Sequence, residues 1–215
     1  MSIYKTGIWS TTPNPPQYLV NNFGETNSLT DWTVSGTISN NVLTLTGASP
    51  QLTSKTFTVN PNDIIVIEFS LAFTVLSDNS GTYIGSKSDP NTSRYTYDTT
   101  TKTWGNKQSN ESSQWSTYWL SNYNSTTRKT IKSYLIGSNV DINQVPAPEG
   151  TNQMIQLNEG NTTTNIRTGY NANTGMTFEV YYFKIYNINA QGFSETGNQA
   201  KIGKSFVYSN EFIEI

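Results

Sequence analysis

The chain has 215 residues, with 13 Lys and Arg against 15 Asp and Glu for a formal net charge of −2. It contains no cysteine and no histidine, which excludes disulfides, thiol chemistry, a histidine general base and histidine-held metals. Charged residues are only 13% of the chain, where an average soluble domain has about 25%, and no block of one sign marks a nucleic-acid footprint.

Met1-Ser2-Ile3-Tyr4-Lys5-Thr6-Gly7 lacks a basic stretch followed by an apolar one, so the sequence predicts no Sec export. Residues 10–17 are rich in proline, which fixes φ and rejects helix, and read as an extended linker. Asn41 to Thr46 and Ser54 to Val59 alternate apolar and polar residues, the period of a half-buried strand. Asn60-Pro61-Asn62-Asp63 is a turn signal. Ile64 to Phe73 begins apolar on both faces, as a central strand does, and is too short an apolar run to span a bilayer. Ser133 to Val140 reads as a further strand. In Met176 to Ile188, strict alternation puts Phe178, Val180 and Tyr182 on one face and Glu179, Tyr181 and Phe183 on the other. Many short strands punctuated by Gly, Asn and Pro predict an all-β chain, a β-sandwich of jelly-roll-like form. Its body is expected over 18–189, between a tail and linker at 1–17 and a second linker and strand tail at 190–215.

Residues 86–130 break the rhythm and predict long loops with hairpin strands. Tyr95, Tyr97, Trp104, Trp115, Tyr118, Trp119 and Tyr123 crowd there among Ser, Thr, Asn and Gln. Large rings beside amides and hydroxyls suit a sugar ring, so Trp104, Trp115, Trp119, Tyr95, Tyr97 and Tyr118 form a candidate glycan platform. The same rings suit core or subunit packing, and the sequence leaves both readings open. Trp32 is expected in the core. The tails carry apolar, strand-like pieces, and a terminal strand without a partner is a template for another chain. Ile3, Tyr4, Phe206, Tyr208, Phe212, Ile213 and Ile215 are therefore candidate assembly residues, the alternative being that both tails complete one small sheet of the chain itself.

Without histidine or cysteine, the enzymatic route left open is a carboxylate pair about 5 to 10 Å apart. Glu68, Glu111, Glu149, Glu159 and Glu179 are available, but their spacing selects no pair, and no phosphate loop or nucleophile elbow is present. No enzyme is expected.

Val20-Asn21-Asn22-Phe23-Gly24-Glu25, followed by Leu29-Thr30-Asp31-Trp32-Thr33-Val34-Ser35-Gly36, resembles the opening of jelly-roll carbohydrate-binding modules. Pro61 to Phe73 resembles their turn and long strand, and Phe178 to Ile188 their closing strand. The resemblance implies a glycan-binding sandwich. Those modules commonly carry an Asp-Asn or Asp-Asp pair in the closing strand that helps hold a structural calcium, whereas this chain has Tyr181-Tyr182-Phe183-Lys184 there. One carboxylate, Glu25, is not a calcium site, so no metal or other cofactor is expected. The tail ending Ser209-Asn210-Glu211-Phe212-Ile213-Glu214-Ile215 resembles terminal segments of tailed-phage appendage proteins. Together these resemblances imply a non-enzymatic bacteriophage virion protein, a fibre, head-decoration or baseplate component. Its expected partners are other virion subunits, itself as a homo-oligomer (a trimer), and host-surface polysaccharide, with no nucleic acid and no membrane insertion. A carbohydrate-binding module of a secreted hydrolase and a ligand-free scaffold are the alternatives.

Overall fold

The computed structural model describes residues 17–34, 36–47, 50–75, 82–87, 92–110, 116–120, 126–160, 162–170 and 176–188. They lie almost entirely in one compact unit, Tyr18–Ile188; the other unit, Met1–Gln17 with Asn189–Ile215, falls outside the description apart from Gln17. A short helix α1 (Phe23–Thr26) precedes β1 (Trp32–Val34), β2 (Gly36–Ser39), β3 (Val42–Gly47), β4 (Gln51–Ser54), β5 (Phe57–Thr58) and β6 (Ile64–Val75). There follow β7 (Thr82–Lys87), β8 (Thr92–Asp98), β9 (Thr103–Asn110), β10 (Ser116–Leu120) and β11 (Lys129–Ile136). A 3-10 turn (Ile142–Gln144) leads to β12 (Gln153–Leu157), β13 (Thr163–Tyr170) and β14 (Met176–Asn187). Strands β7 and β10 are described by their backbone.

The strands form two sheets. The smaller runs β1-β4-β13-β7-β10 with β5 added to β13, and the larger runs β2-β3-β14-β6-β11-β12-β8-β9. Every described strand pair is antiparallel except β11 with β12. The chain crosses between sheets at most of its connections, which gives the jelly-roll-like sandwich that the strand pattern implied.

The main core lies between the sheets. Ile65, Ile67, Phe69, Leu71 and Phe73 of β6 face Leu52, Phe57 and Ile166 of the smaller sheet, with Leu43, Leu45, Phe178, Val180, Phe183 and Ile185 alongside. Phe69 and Phe183 stack at 4.7 Å, and Trp32 packs on Phe183 at 5.0 Å and on Phe23 at 5.8 Å. Trp32 is the core residue the sequence predicts, and its indole N–H is satisfied by the Asn21 carbonyl at 2.6 Å. Each fully buried ring or aliphatic chain here contributes about 1.5–3 kcal/mol of transfer free energy.

A second cluster covers part of the larger sheet's other face. Ile64, Val66, Tyr95, Trp104, Tyr134, Ile136 and Met154 pack there beneath Val140, Ile142 and Val145 of the 137–149 strap. The strand expected over 133–140 instead begins at Lys129 and ends at Ile136. Gly137 turns the chain there, so close to the 60–63 turn that a Cβ would sit 2.2 Å from the Asn60 carbonyl oxygen. The expected strand at 54–59 is likewise divided: Ser54 closes β4 and only Phe57–Thr58 pair again, with β13.

The main departure from the sequence reading is in β14. Its register against β6 slips between Val180 and Tyr182, which leaves Tyr181 as a bulge, and a slip at Thr177/Phe178 compensates for it. Alternation therefore resets. Phe178, Val180, Phe183 and Ile185 all face the core. The expectation that Tyr182 shares a face with Val180, and Phe183 with Glu179, is corrected by this one extra residue.

Candidate functional site

The platform expected around 95–119 is distributed differently from a single exposed surface. Trp104 is buried, its indole N–H donating to the carbonyls of Val145 at 3.1 Å and Pro146 at 3.3 Å, so it holds the strap down. Tyr95 is buried too and donates its hydroxyl to Gln156 Oε1 at 3.0 Å. Tyr97 is half-buried, edge-on to Trp104 at 5.0 Å. Tyr118 and Trp119 lie in the edge strand β10, of which the backbone is described, and Trp115 and Tyr123 lie outside the described residues. Ile3, Tyr4, Phe206, Tyr208, Phe212, Ile213 and Ile215 also lie outside them. A depression lined by Thr96, Asp98, Thr103, Gly105 and Asn106 occurs at the β8–β9 hairpin. These are mostly the strand positions alternate to Tyr95, Tyr97 and Trp104, so it opens on the opposite face.

The side chains that do converge are on the larger sheet's face turned away from the core, next to the strap. Strand pairing lays them out in rows. Tyr186 and Tyr134 flank Val66; Lys184 and Lys132 flank Glu68; Tyr182 and Thr130 flank Ser70; Glu179 stands beside Ala72. Successive rows are about 6.6 Å apart, two residues along a strand. Glu149 extends the second row through its bridge to Lys132. Ser70 and Ala72 are small and make a low floor between taller neighbours.

The bulge gives this face its centre. Tyr181 and Tyr182 are consecutive, yet both contact Arg128, whose guanidinium carbon lies 4.1 Å from the Tyr181 ring centroid and 5.9 Å from that of Tyr182. Arg128 Nε donates to Ser70 Oγ at 2.8 Å, which aims the guanidinium across the floor. The Tyr181 hydroxyl donates to Glu179 Oε2 at 2.8 Å, and Lys184 Nζ lies 4.9 Å from the Tyr182 ring centroid. Arg128 is exposed, while both tyrosines and Lys184 are half-buried.

The hydrogen bond to Glu179, more than burial, raises the Tyr181 pKa; burial is the main cause for Tyr182 and Tyr186. All three phenols stay protonated near neutral pH and keep a donor.

Comparison with known proteins adds the following. No protein-family model matches the chain, and no curated protein matches it. Among solved structures it is similar to the carbohydrate recognition domain of Emp46p in a metal-free form, at 11% identity and a TM-score of 0.39, over 83% of this chain and 97% of that one. It is also similar to the enzymatically active domain of bacteriophage CBA120 tailspike protein 4, at 13% identity and a TM-score of 0.32, over 76% of this chain and 20% of the tailspike chain. TmCBM61, solved with β-1,4-galactotriose, is similar at 13% identity and a TM-score of 0.29, over 76% of this chain and 92% of that one.

Three of the carboxylates considered for catalysis sit on this face. Glu68 and Glu179 stand four residues apart along β6 register, about 13 Å between backbone positions. Glu68 and Glu149 are two strand spacings apart with Lys132 between them. Glu159 lies in the turn after β12, and Glu111 is outside the described residues. Among the described residues, no group of acidic side chains is placed to hold a metal, and Glu25 accepts from the Tyr18 hydroxyl at 2.8 Å.

The face presents several kinds of contact together. It offers ring faces, a guanidinium fork, ammonium groups and carboxylates on a rigid sheet. Periodicity alone hides it, because two-residue alternation sends Tyr181 and Tyr182 to opposite faces. The sequence does hold one signal, three successive aromatic residues at Tyr181-Tyr182-Phe183 in a strand with a single core face.

Proposed function

We propose that the chain is a non-enzymatic, glycan-binding β-sandwich whose binding surface is the Arg128–Tyr181–Tyr182 face of the larger sheet. One observation carries this reading: two consecutive tyrosine rings share a sheet face with an exposed guanidinium and flanking carboxylates. Sugar rings stack their C–H faces on such aromatics, while their hydroxyls accept from Arg and Lys and donate to Glu. Trp115, Tyr118 and Trp119 remain in the proposal as candidate ligand-binding residues on the strength of the sequence.

The setting rests on sequence. Low charge, a Thr- and Asn-rich β composition and the terminal segments support a virion appendage component that assembles with itself and with other subunits. A single site of millimolar strength is worth only about −4 kcal/mol, so attachment to a polysaccharide-coated surface would draw on several copies.

The test is affinity electrophoresis through gels containing xylan, β-1,4-galactan or extracted bacterial surface polysaccharide. Retardation by one of them, lost in Arg128→Ala and Tyr182→Ala while both variants still melt cooperatively within a few degrees of the wild type, is the expected result. Retardation by none leaves the scaffold reading. Detection of the chain in purified phage particles by mass spectrometry checks the setting, and its occurrence in frame with a catalytic domain would favour the secreted module.

A further inference from the structure

The bulge at Tyr181 is held from the side by the chain's opening turn. Strand β3 pairs with β14 only as far as Val180, opposite Leu43. Beyond that point the 18–24 segment takes over the edge of β14. Leu19 N–H donates to the Ile185 carbonyl at 2.7 Å, and Tyr18 bridges to Tyr186. The buried Asn22 side chain accepts from Phe183 N–H at 3.3 Å and from Gly24 N–H at 3.2 Å. Gly24 then meets the bulge directly. A Cβ there would lie 2.4 Å from the Tyr181 carbonyl oxygen, 2.7 Å from Tyr182 Cβ and 2.9 Å from Tyr182 Cα. Two of these neighbours are backbone atoms, which cannot yield by a rotamer change.

We infer that Asn22 and Gly24 are positioning residues for the tyrosine–arginine face: they clamp the bulge and so fix the spacing of Tyr181 and Tyr182 under Arg128. This rests on the binding reading above. Asn22 supplies the acceptor that the bulged strand's N–H requires. Gly24 supplies the absence of a side chain that lets the turn reach the strand backbone. Neither places a side chain on the exposed face. The clamp also accounts for why the Asn-Phe-Gly stretch and the Tyr-Tyr-Phe stretch, about 160 residues apart in sequence, form one device.

The experiment compares Gly24→Ala, Asn22→Ala and Asn22→Asp with Leu52→Ala, a core variant on the other sheet, all well below their melting temperatures. Two signals are read: the Arg128 Nε–Hε resonance, which the Tyr181 ring 4.1 Å from the guanidinium carbon is expected to displace in the wild type, and retardation in the polysaccharide gel that retards the wild type. Gly24→Ala and Asn22→Ala are expected to move the resonance and weaken binding at least tenfold. Asn22→Asp keeps both acceptor positions at the cost of a buried carboxyl, so it should lose stability yet hold the resonance near its wild-type position, as should Leu52→Ala. If Gly24→Ala and Asn22→Ala leave the resonance in place, the clamp is overturned whatever the binding result. If they also keep binding while Arg128→Ala and Tyr182→Ala lose it, the binding reading stands without the clamp. If the resonance moves but no variant, Arg128→Ala included, changes retardation, the clamp holds the bulge and the binding reading falls. Should Gly24→Ala fail to fold, Asn22→Ala against Asn22→Asp decides by the same two signals.

Discussion

Arg128 and Tyr181 form a stacked pair 4.1 Å apart, and the far end of that ring is tethered to Glu179 at 2.8 Å. A guanidinium and a carboxylate are thus joined through one aromatic ring, with Ser70 fixing the cationic end. An exposed cation–π contact is worth about 0.5–1 kcal/mol, so the stack contributes little to folding and mainly restricts where the fork points.

Arg128→Ala should consequently lower stability by about 0.5–1 kcal/mol in urea titration yet reduce glycan affinity tenfold or more. Arg128→Lys should not restore binding, because an ammonium lacks the planar fork that stacks and donates together. A lysine variant with wild-type affinity would show that charge alone suffices.

Trp104 behaves differently. Its ring lies among Tyr134, Tyr97 and the strap residues, and its N–H is committed to two carbonyls. Trp104→Ala should cost about 3–5 kcal/mol in chemical denaturation and increase hydrogen exchange across 140–146. A loss below about 1 kcal/mol would mean the ring does not hold the strap.

High pH tests the same cluster. Burial, helped by the nearby Tyr186, Glu68 and Glu149, raises the Tyr134 pKa from 10.0 to about 12. With the folded value above the unfolded one, the contribution is fully present below about pH 10 and is lost as pH rises towards 12. Stability followed from pH 9 to 12 should fall, and Tyr134→Phe should flatten the fall while losing the hydrogen bond to the Ala147 carbonyl.

Asp31 governs the acid side. Its bond to Lys55 Nζ at 2.9 Å, then the N–H of Asn21, hold its carboxyl below the ordinary value of 3.8. A depressed folded value gives stability that is present above the unfolded value and lost as pH falls through the folded one. Lys55 is half exposed, so the pair itself is worth only about 0.2–1 kcal/mol. Asp31→Asn should therefore cost little at pH 7 and reduce the slope of stability against pH as pH falls below about 4.

How much of this was legible in the sequence depends on how local each signal is. The long strand from Ile64 and the alternating strand from Val42 are written in neighbouring residues, and both formed as read. Trp104 stayed open between platform and core in the sequence, because its partners Val145 and Pro146 arrive from about 40 residues away and no neighbouring residue announces them. The tyrosine–arginine face was hidden for a related reason. Its parity depends on a bulge, and the bulge depends on Asn22 and Gly24 at the other end of the body.

Deletion of single residues in β14 separates the bulge's two roles. Removing Tyr181 leaves Val180 followed by Tyr182 and Phe183, which regular alternation sends inward, outward and inward, as in the intact protein. The core face is conserved, so the variant should fold, with a loss of about 1–3 kcal/mol from the disturbed edge and the empty clamp. Removing Lys184 instead brings Ile185 out of the core and turns Tyr186 towards it, a slip that reverses every later residue of the strand. That variant should lose more than about 4 kcal/mol or fail to fold. Deletion of Tyr181 should abolish glycan retardation in the gel although the protein melts cooperatively, since one ring, the stack on Arg128 and the tether to Glu179 leave together. Equal damage from the two deletions would show that β14 is held by something other than its inward face, and that Tyr181 is not an inserted residue.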